Sequence, residues 1–193
     1  DEVTLICHGF LGMYLAEFLL EEWVHLASDM KLSACAGVAI MPTTYPIYRG
    51  YAMAEQLCAN AKKMARQNNN TSWLDFYLPI GELHGDLNKL REKHRSTRGL
   101  NLNFGPYYLA RGEKNINIYK DRNIKYLKEG VNYFNTNWPR SKCKELRTAI
   151  SNGKEILEEF VDKQKTRGLE LPNIYENYHN SDITVGIHHM RRF

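Results

Sequence analysis

The chain has 193 residues, 43% of them hydrophobic, and a net charge of +4. That size and apolar share are enough for one hydrophobic core without disulfide or metal staples. No uncharged apolar stretch approaches the roughly 18 residues a membrane span needs; the longest candidate, Phe10 to Leu20, is interrupted by Glu17, so neither a membrane span nor a membrane partner is expected.

The first element is ambiguous. Val3-Thr4-Leu5-Ile6-Cys7 reads as a short strand or as the lead-in to a helix, and Gly9 and Gly12 then punctuate the chain. From Leu11 to about Ala27 the spacing is helical, with Leu15, Phe18, Leu19 and Trp23 on one face and Glu17, Glu21 and His25 on another. Because it is apolar over most of its circumference, this helix is expected deep in the core. Ala36 to Met41 is a short apolar run, strand or buried turn, cut off by Pro42 and Pro46. A second helix is expected over Tyr51 to Arg66, with Ala54, Leu57, Cys58, Ala61, Met64 and Ala65 inward. Ser72 is expected to cap a short element holding Trp73, Phe76 and Tyr77.

A third helix is expected over Leu83 to Lys93. Leu100 to Lys120 reads as irregular or β-like, with the alternation Asn115-Ile116-Asn117-Ile118-Tyr119 compatible with a small ribbon, and residues 121–134 are weakly helical. One long helix then runs from Pro139 and Ser141 to Gly168, its inner stripe being Leu146, Ile150, Gly153, Leu157 and Phe160. The pattern is that of a mainly α protein: a single compact helical domain over residues 1–168, with a small β-ribbon and an extended C-terminal arm over 169–193. Cys7, Cys35, Cys58 and Cys143 are widely spaced, with no Cys-x-x-Cys pair. Such spacing favours reduced thiols and an intracellular setting, cytoplasm or virion, over a disulfide framework or zinc site.

Charge is unevenly spread. Residues 1–60 carry seven acids and two bases, whereas residues 86–145 carry fourteen bases and six acids. The basic segment also holds eight aromatics: Phe104, Tyr107, Tyr108, Tyr119, Tyr126, Tyr133, Phe134 and Trp138. Cations neutralise phosphates and release counterions, and aromatic faces stack on unpaired bases, so the mixture points to nucleic acid, RNA rather than DNA. The candidate contacts are Lys89, Arg91, Arg95, Arg98, Tyr107, Tyr108, Arg111, Lys114, Lys120, Arg122, Lys125, Lys128, Arg140 and Lys142.

Two catalytic patterns compete with this reading. Gly81-Glu82-Leu83-His84-Gly85 resembles the Gly-Asp-x-His-Gly signature of the metallophosphoesterases, whose Asp and His bind one metal of a two-metal hydrolytic centre. Glu82 stands in the Asp position and His84 matches, but the later acid-rich blocks are missing: Gly105 to Gly112 lacks both acids, and no Asn-His-Glu comes after it. A two-metal site lacks its ligands, so no metal or cofactor is expected. His8-Gly9-Phe10-Leu11-Gly12 looks like the oxyanion loop of α/β-hydrolases or the glycine-rich turn of extended short-chain dehydrogenases. The chain has no Gly-x-Ser-x-Gly elbow, however, and no Tyr-x-x-x-Lys pair after that turn. Two glycines that let a helix start tightly against the core explain the motif instead. The expected function is therefore non-catalytic: a nucleic-acid-binding or assembly protein of the nucleoprotein, coat or ribonucleoprotein type, with self-association or other subunits as partners. A small hydrolase with a diverged centre near His84, and a purely structural subunit of a larger complex, are the rival readings.

Overall fold

The computed structural model of the chain describes residues 2–27, 32–69, 71–78, 87–94, 96–97, 100–101, 105–109 and 122–172. Among these the protein is mainly helical, with six helices and a small three-stranded sheet. The chain forms two compact units, one of Asp1–Leu87 with Gly105–Asn123, the other of Asn88–Phe104 with Ile124–Phe193. No described helix is long and apolar enough to cross a membrane.

The first unit is built on a strand–helix–strand crossover. β1 (Cys35–Ala39) and β2 (Trp73–Tyr77) are parallel and in register from Cys35 opposite Trp73 to Ala39 opposite Tyr77, joined through the helix α2 (Ile47–Gln67). A third strand, β5 (Tyr107–Tyr108), pairs antiparallel with the other edge of β2. β2 is therefore the central strand and is buried along its whole length, whereas β1, at the edge, is half-buried. Trp73, Leu74, Phe76 and Tyr77 suit a strand covered on both faces, and Asp75 is enclosed among them.

Alternation along β1 separates the two helices that flank it. Gly37 lies against Ala54, Leu57 and Cys58 of α2, so close that a Cβ there would overlap the helix backbone. Val38 and the following Ile40 instead lie against Gly12 and Gly9 of α1 (Gly9–Leu26). Successive residues of a strand point to opposite faces, which places α1 and α2 on opposite sides of β1. α2 begins at Ile47, immediately after Pro46, where the fixed φ of proline suits a helix start. It buries Met53, Leu57, Ala61 and Ala65, every fourth residue, and Ala61 and Ala65 pack on Trp73 and Tyr108. The Trp73 indole N–H donates to the Thr71 hydroxyl at 2.8 Å, and Phe76 stacks on Tyr107 with ring centroids 5.4 Å apart.

α1 corrects the expectation of a deeply buried helix. It packs on β1, yet within it Leu20 alone is buried. Phe10, Leu11, Tyr14, Phe18, Leu19, Trp23 and Leu26 are all exposed. Residues 2–8 form neither strand nor helix, and the His8 imidazole caps α1 by accepting the Phe10 N–H at 3.5 Å. A methyl group at Gly9 or Gly12 would lie 3.4 Å from Ile40 or Val38, an ordinary van der Waals distance. Close approach therefore does not require these glycines, as it does Gly37.

The second unit holds α4 (Ile124–Asn137), α5 (Arg140–Asn152) and α6 (Lys154–Lys165), together with a short antiparallel ribbon of β3 (Ser96–Thr97) and β4 (Leu100–Asn101). α3 (Leu87–His94) starts in the first unit, at Leu87, and its remaining residues belong to the second. The single long C-terminal helix expected from the sequence is two helices. Gly153 adopts φ 113° and ψ 176°, a backbone region open essentially to glycine alone, and the chain turns there so that α5 and α6 pack on each other. The apolar spacing runs on through the break because Gly153 itself occupies a helical position in the stripe. Trp138 and Tyr133 both donate to the Glu170 carbonyl, at 2.9 and 3.1 Å, holding the segment after α6 onto the end of α4. The other part of the expected ribbon, residues 110–121, and the arm beyond residue 172 lie outside the described residues.

Candidate nucleic-acid interface

The fold divides the sequence-derived candidates into three groups. Arg95, Arg98, Arg111, Lys114 and Lys120 lie outside the described residues, as does the metallophosphoesterase-like segment with Glu82 and His84. A second group is withdrawn as stacking platforms. Tyr107 and Tyr108 are only 4% and 2% exposed, because β5 tucks them against β2. Tyr108 lies with Trp73, centroids 5.5 Å apart, and Tyr107 with Phe76. A ring enclosed in the core presents no face to a base. Phe134 and Trp138 are buried likewise, in edge contact at 5.3 Å. Tyr126 and Tyr133 are half-buried.

The third group consists of cations at the surface of helices. Lys89 is exposed and Arg91 half-buried on α3; Arg122 is half-buried just before α4. On α4 the buried side is Ile124, Leu127, Gly130 and Phe134, so Lys125 and Lys128 fall on the solvent side. On α5 the buried side is Leu146, Ala149 and Ile150. Arg140 and Lys144 are exposed away from that side, and Arg147, at i+7 from Arg140, is half-buried at its flank, so the three form a stripe along one edge of the helix. Lys142 faces another way, and its ammonium is held by both Glu145 carboxylate oxygens at 2.8 and 2.7 Å. A cation so neutralised offers little to a phosphate.

Lys144 and Arg147 were not among the candidates drawn from the sequence. The signal was nonetheless present: once Leu146 and Ile150 are read as inward, helical geometry puts residues 140 and 144 on the outer face and 147 at its flank.

α5 and α6 differ in how their charges meet the helix dipole. The N-terminus of a helix carries partial positive charge and its C-terminus partial negative charge, so acids favour the first turn and bases the last. α6 follows this order, with Glu155 in its first turn and Lys163 and Lys165 in its last. α5 reverses it. Its first turn holds Arg140 and Lys142 and no acid, its last turn holds no base, and no side chain caps its N-terminus at Pro139. Lys142 is offset by Glu145, so the Arg140 guanidinium and the uncapped N–H groups add their positive potential at one end, where an anion offsets both. Beside the stripe an open groove between α5 and α6 is lined by Lys144, Glu145, Thr148, Ala149, Asn152, Ile156 and Phe160.

Burial pushes the Cys35 and Cys58 thiols above their ordinary range, and the Cys58 thiol donates to the Cys35 carbonyl at 3.5 Å. Hydrogen-bonding to Glu2 holds the exposed Lys62 ammonium more firmly protonated. Among the described residues no three His, Cys, Asp or Glu side chains gather as metal ligands. No protein-family profile matches the chain, and no curated protein matches it.

Proposed function

We propose that the protein is a non-catalytic nucleic-acid-binding or assembly subunit that holds the phosphate backbone of single-stranded RNA on the solvent face of α5. Arg140, Lys144 and Arg147 make the principal contacts, and Lys125 and Lys128 on α4 extend the basic surface. The observation that carries this reading is the cationic stripe of α5, which starts in a first turn that holds no acid and has no side-chain cap. A cation in the first turn of a helix, as Arg140 is, costs about 0.3–1 kcal/mol in isolation. A bound polyanion turns that cost into attraction. The groove lined by Ala149, Ile156 and Phe160 gives a base or ribose an apolar surface beside the cations.

The enclosure of Tyr107 and Tyr108 narrows the mode of recognition. Without those rings the contacts are mainly ionic, so the protein discriminates weakly between base sequences and its affinity falls steeply with salt. The test is the fluorescence anisotropy of a labelled single-stranded RNA titrated with the protein at low salt. Replacing Arg140, Lys144 and Arg147 by Ala together should weaken binding at least about tenfold, with the circular dichroism and thermal midpoint little changed, since Arg140 and Lys144 are exposed and Arg147 lies at the flank of the buried side of α5. A folded triple variant that binds RNA as the unaltered protein does would remove the basis of the proposal.

A further inference from the structure

The first unit sets two thiols against each other. Cys35 lies on β1 and Cys58 on α2, both half-buried, and the Cys58 thiol donates to the Cys35 carbonyl at 3.5 Å. The two elements are in close contact at this point. Cys35 and Gly37 share the side of β1 that faces α2, and a Cβ on Gly37 would overlap the Cys58 backbone nitrogen. Cys35 also packs beside Ala61 and Ala65 of the same helix. A disulfide joins Cα atoms about 4.4–6.8 Å apart, a spacing that a strand lying directly on a helix provides. A sulfur already on its partner's carbonyl is about one side-chain rotation from that partner's sulfur.

Their surroundings make the two thiols unequal. Burial raises both and is the larger effect, so both rest protonated. Against it, at Cys35, stand a hydrogen bond from the Trp73 backbone and the charges of Lys62 and Arg66, all of which favour the thiolate. The Lys62 ammonium is held in place by Glu2 at 3.2 Å. The Cys58 proton, by contrast, is engaged by the Cys35 carbonyl.

We propose that Cys35 and Cys58 form a reversible disulfide when the protein meets a hydroperoxide, fastening α2 to β1. The Cys35 thiolate attacks one oxygen of hydrogen peroxide and breaks the O–O bond. The departing hydroxide takes up the proton the thiol gave up and leaves as water, and Cys35 becomes a sulfenic acid. Cys58 then attacks that sulfur; the S–S bond forms, and the sulfenic oxygen leaves as a second water with the Cys58 proton. Two thiols lose two electrons in all, and one peroxide is reduced to two waters. A dithiol restores both thiols by exchange. Nothing in these steps depends on the cations of α5, so the proposal stands apart from RNA binding.

The experiment treats the full chain carrying Cys7→Ser, which removes the exposed thiol able to join two molecules, with a slight excess of hydrogen peroxide. Its intact mass should fall by two hydrogens. A tryptic digest run without reductant should link the peptide of residues 32–49, which holds Cys35, to that of residues 50–62, which holds Cys58. Dithiothreitol should separate them. The midpoint of thermal unfolding should rise on oxidation, return with dithiothreitol, and stay unmoved in a Cys58→Ser variant. That variant should also leave the Cys35 sulfenic acid open to dimedone, with at least about tenfold more adduct than the chain that keeps Cys58. The digest of the unsubstituted chain reads the same link without relying on any variant. Peptides 32–49 and 50–62 that stay separate while their thiols are consumed, as sulfinic acids or as links between molecules, would overturn the proposal. So would Cys35 and Cys58 both remaining open to maleimide in denaturant after an exposure that fully oxidises Cys7 in the unsubstituted chain.

Discussion

α1 and α2 flank the same strand from opposite sides, yet they treat water differently. α2 buries Met53, Leu57, Ala61 and Ala65 and turns Glu55, Lys62, Lys63 and Arg66 outward. α1 buries Leu20 and turns phenylalanine, tyrosine, tryptophan and leucine outward. The contrast teaches what periodicity can and cannot reveal. A helix with one apolar side announces which side is covered. A helix apolar all round announces only that it avoids water, and does not distinguish a deep core position from one fold contact plus one exposed surface.

Substitutions can break or sharpen the comparison. The largest loss should come from Leu57→Ala on α2, fully enclosed, at about 2–5 kcal/mol by denaturant unfolding. Gly37→Ala should come next at about 1–3 kcal/mol, because the added methyl meets the α2 backbone at Ala54 and Cys58 and forces the helix off β1. On the α1 side the sign should reverse. Gly12→Ala replaces a helical glycine in a site with room for a methyl and should stabilise by up to about 0.5–1 kcal/mol. Leu26→Ala, near the end of α1, should change stability by no more than about 0.5 kcal/mol. A large loss there would mean that α1 is covered within this chain and that the contrast with α2 is false.

Thiol labelling probes the same difference without altering the protein. Cys7, exposed ahead of α1, should react with a maleimide at neutral pH well before Cys35 and Cys58, which are half-buried between β1 and α2. Burial disfavours the thiolate at both sites, so their labelling should accelerate only as pH rises above the ordinary thiol range. Rapid labelling of all three at neutral pH would place α2 off the strand.

Much of the helical content is legible in the chain. Apolar spacing alone marks α2 over Tyr51 to Arg66, and the structure extends it back to Ile47, adjoining Pro46. The strand at Cys35–Ala39 is visible as an apolar run but ambiguous, because short buried strands and buried turns look alike in sequence. β5 is hidden for a different reason. Tyr107 and Tyr108 are buried through pairing with Trp73 and Leu74, more than thirty residues earlier, and no local pattern encodes a non-local pairing. Their enclosure is why the ring-and-cation surface suggested by composition gives way to cations alone. The break at Gly153 is masked by its own helical spacing, while the Arg140, Lys144 and Arg147 stripe emerges from the helix once its buried side is known.

The most direct test of RNA binding through α5 is the salt dependence of affinity. Each phosphate contact with a single strand contributes a slope of about −0.7 in log K against log salt. With Arg140, Lys144, Arg147, Lys125 and Lys128 all engaged, a slope of about −3 to −4 is expected, falling by about 2 when the three α5 residues are replaced by Ala. An affinity indifferent to salt, or a slope identical in the two proteins, would contradict the account.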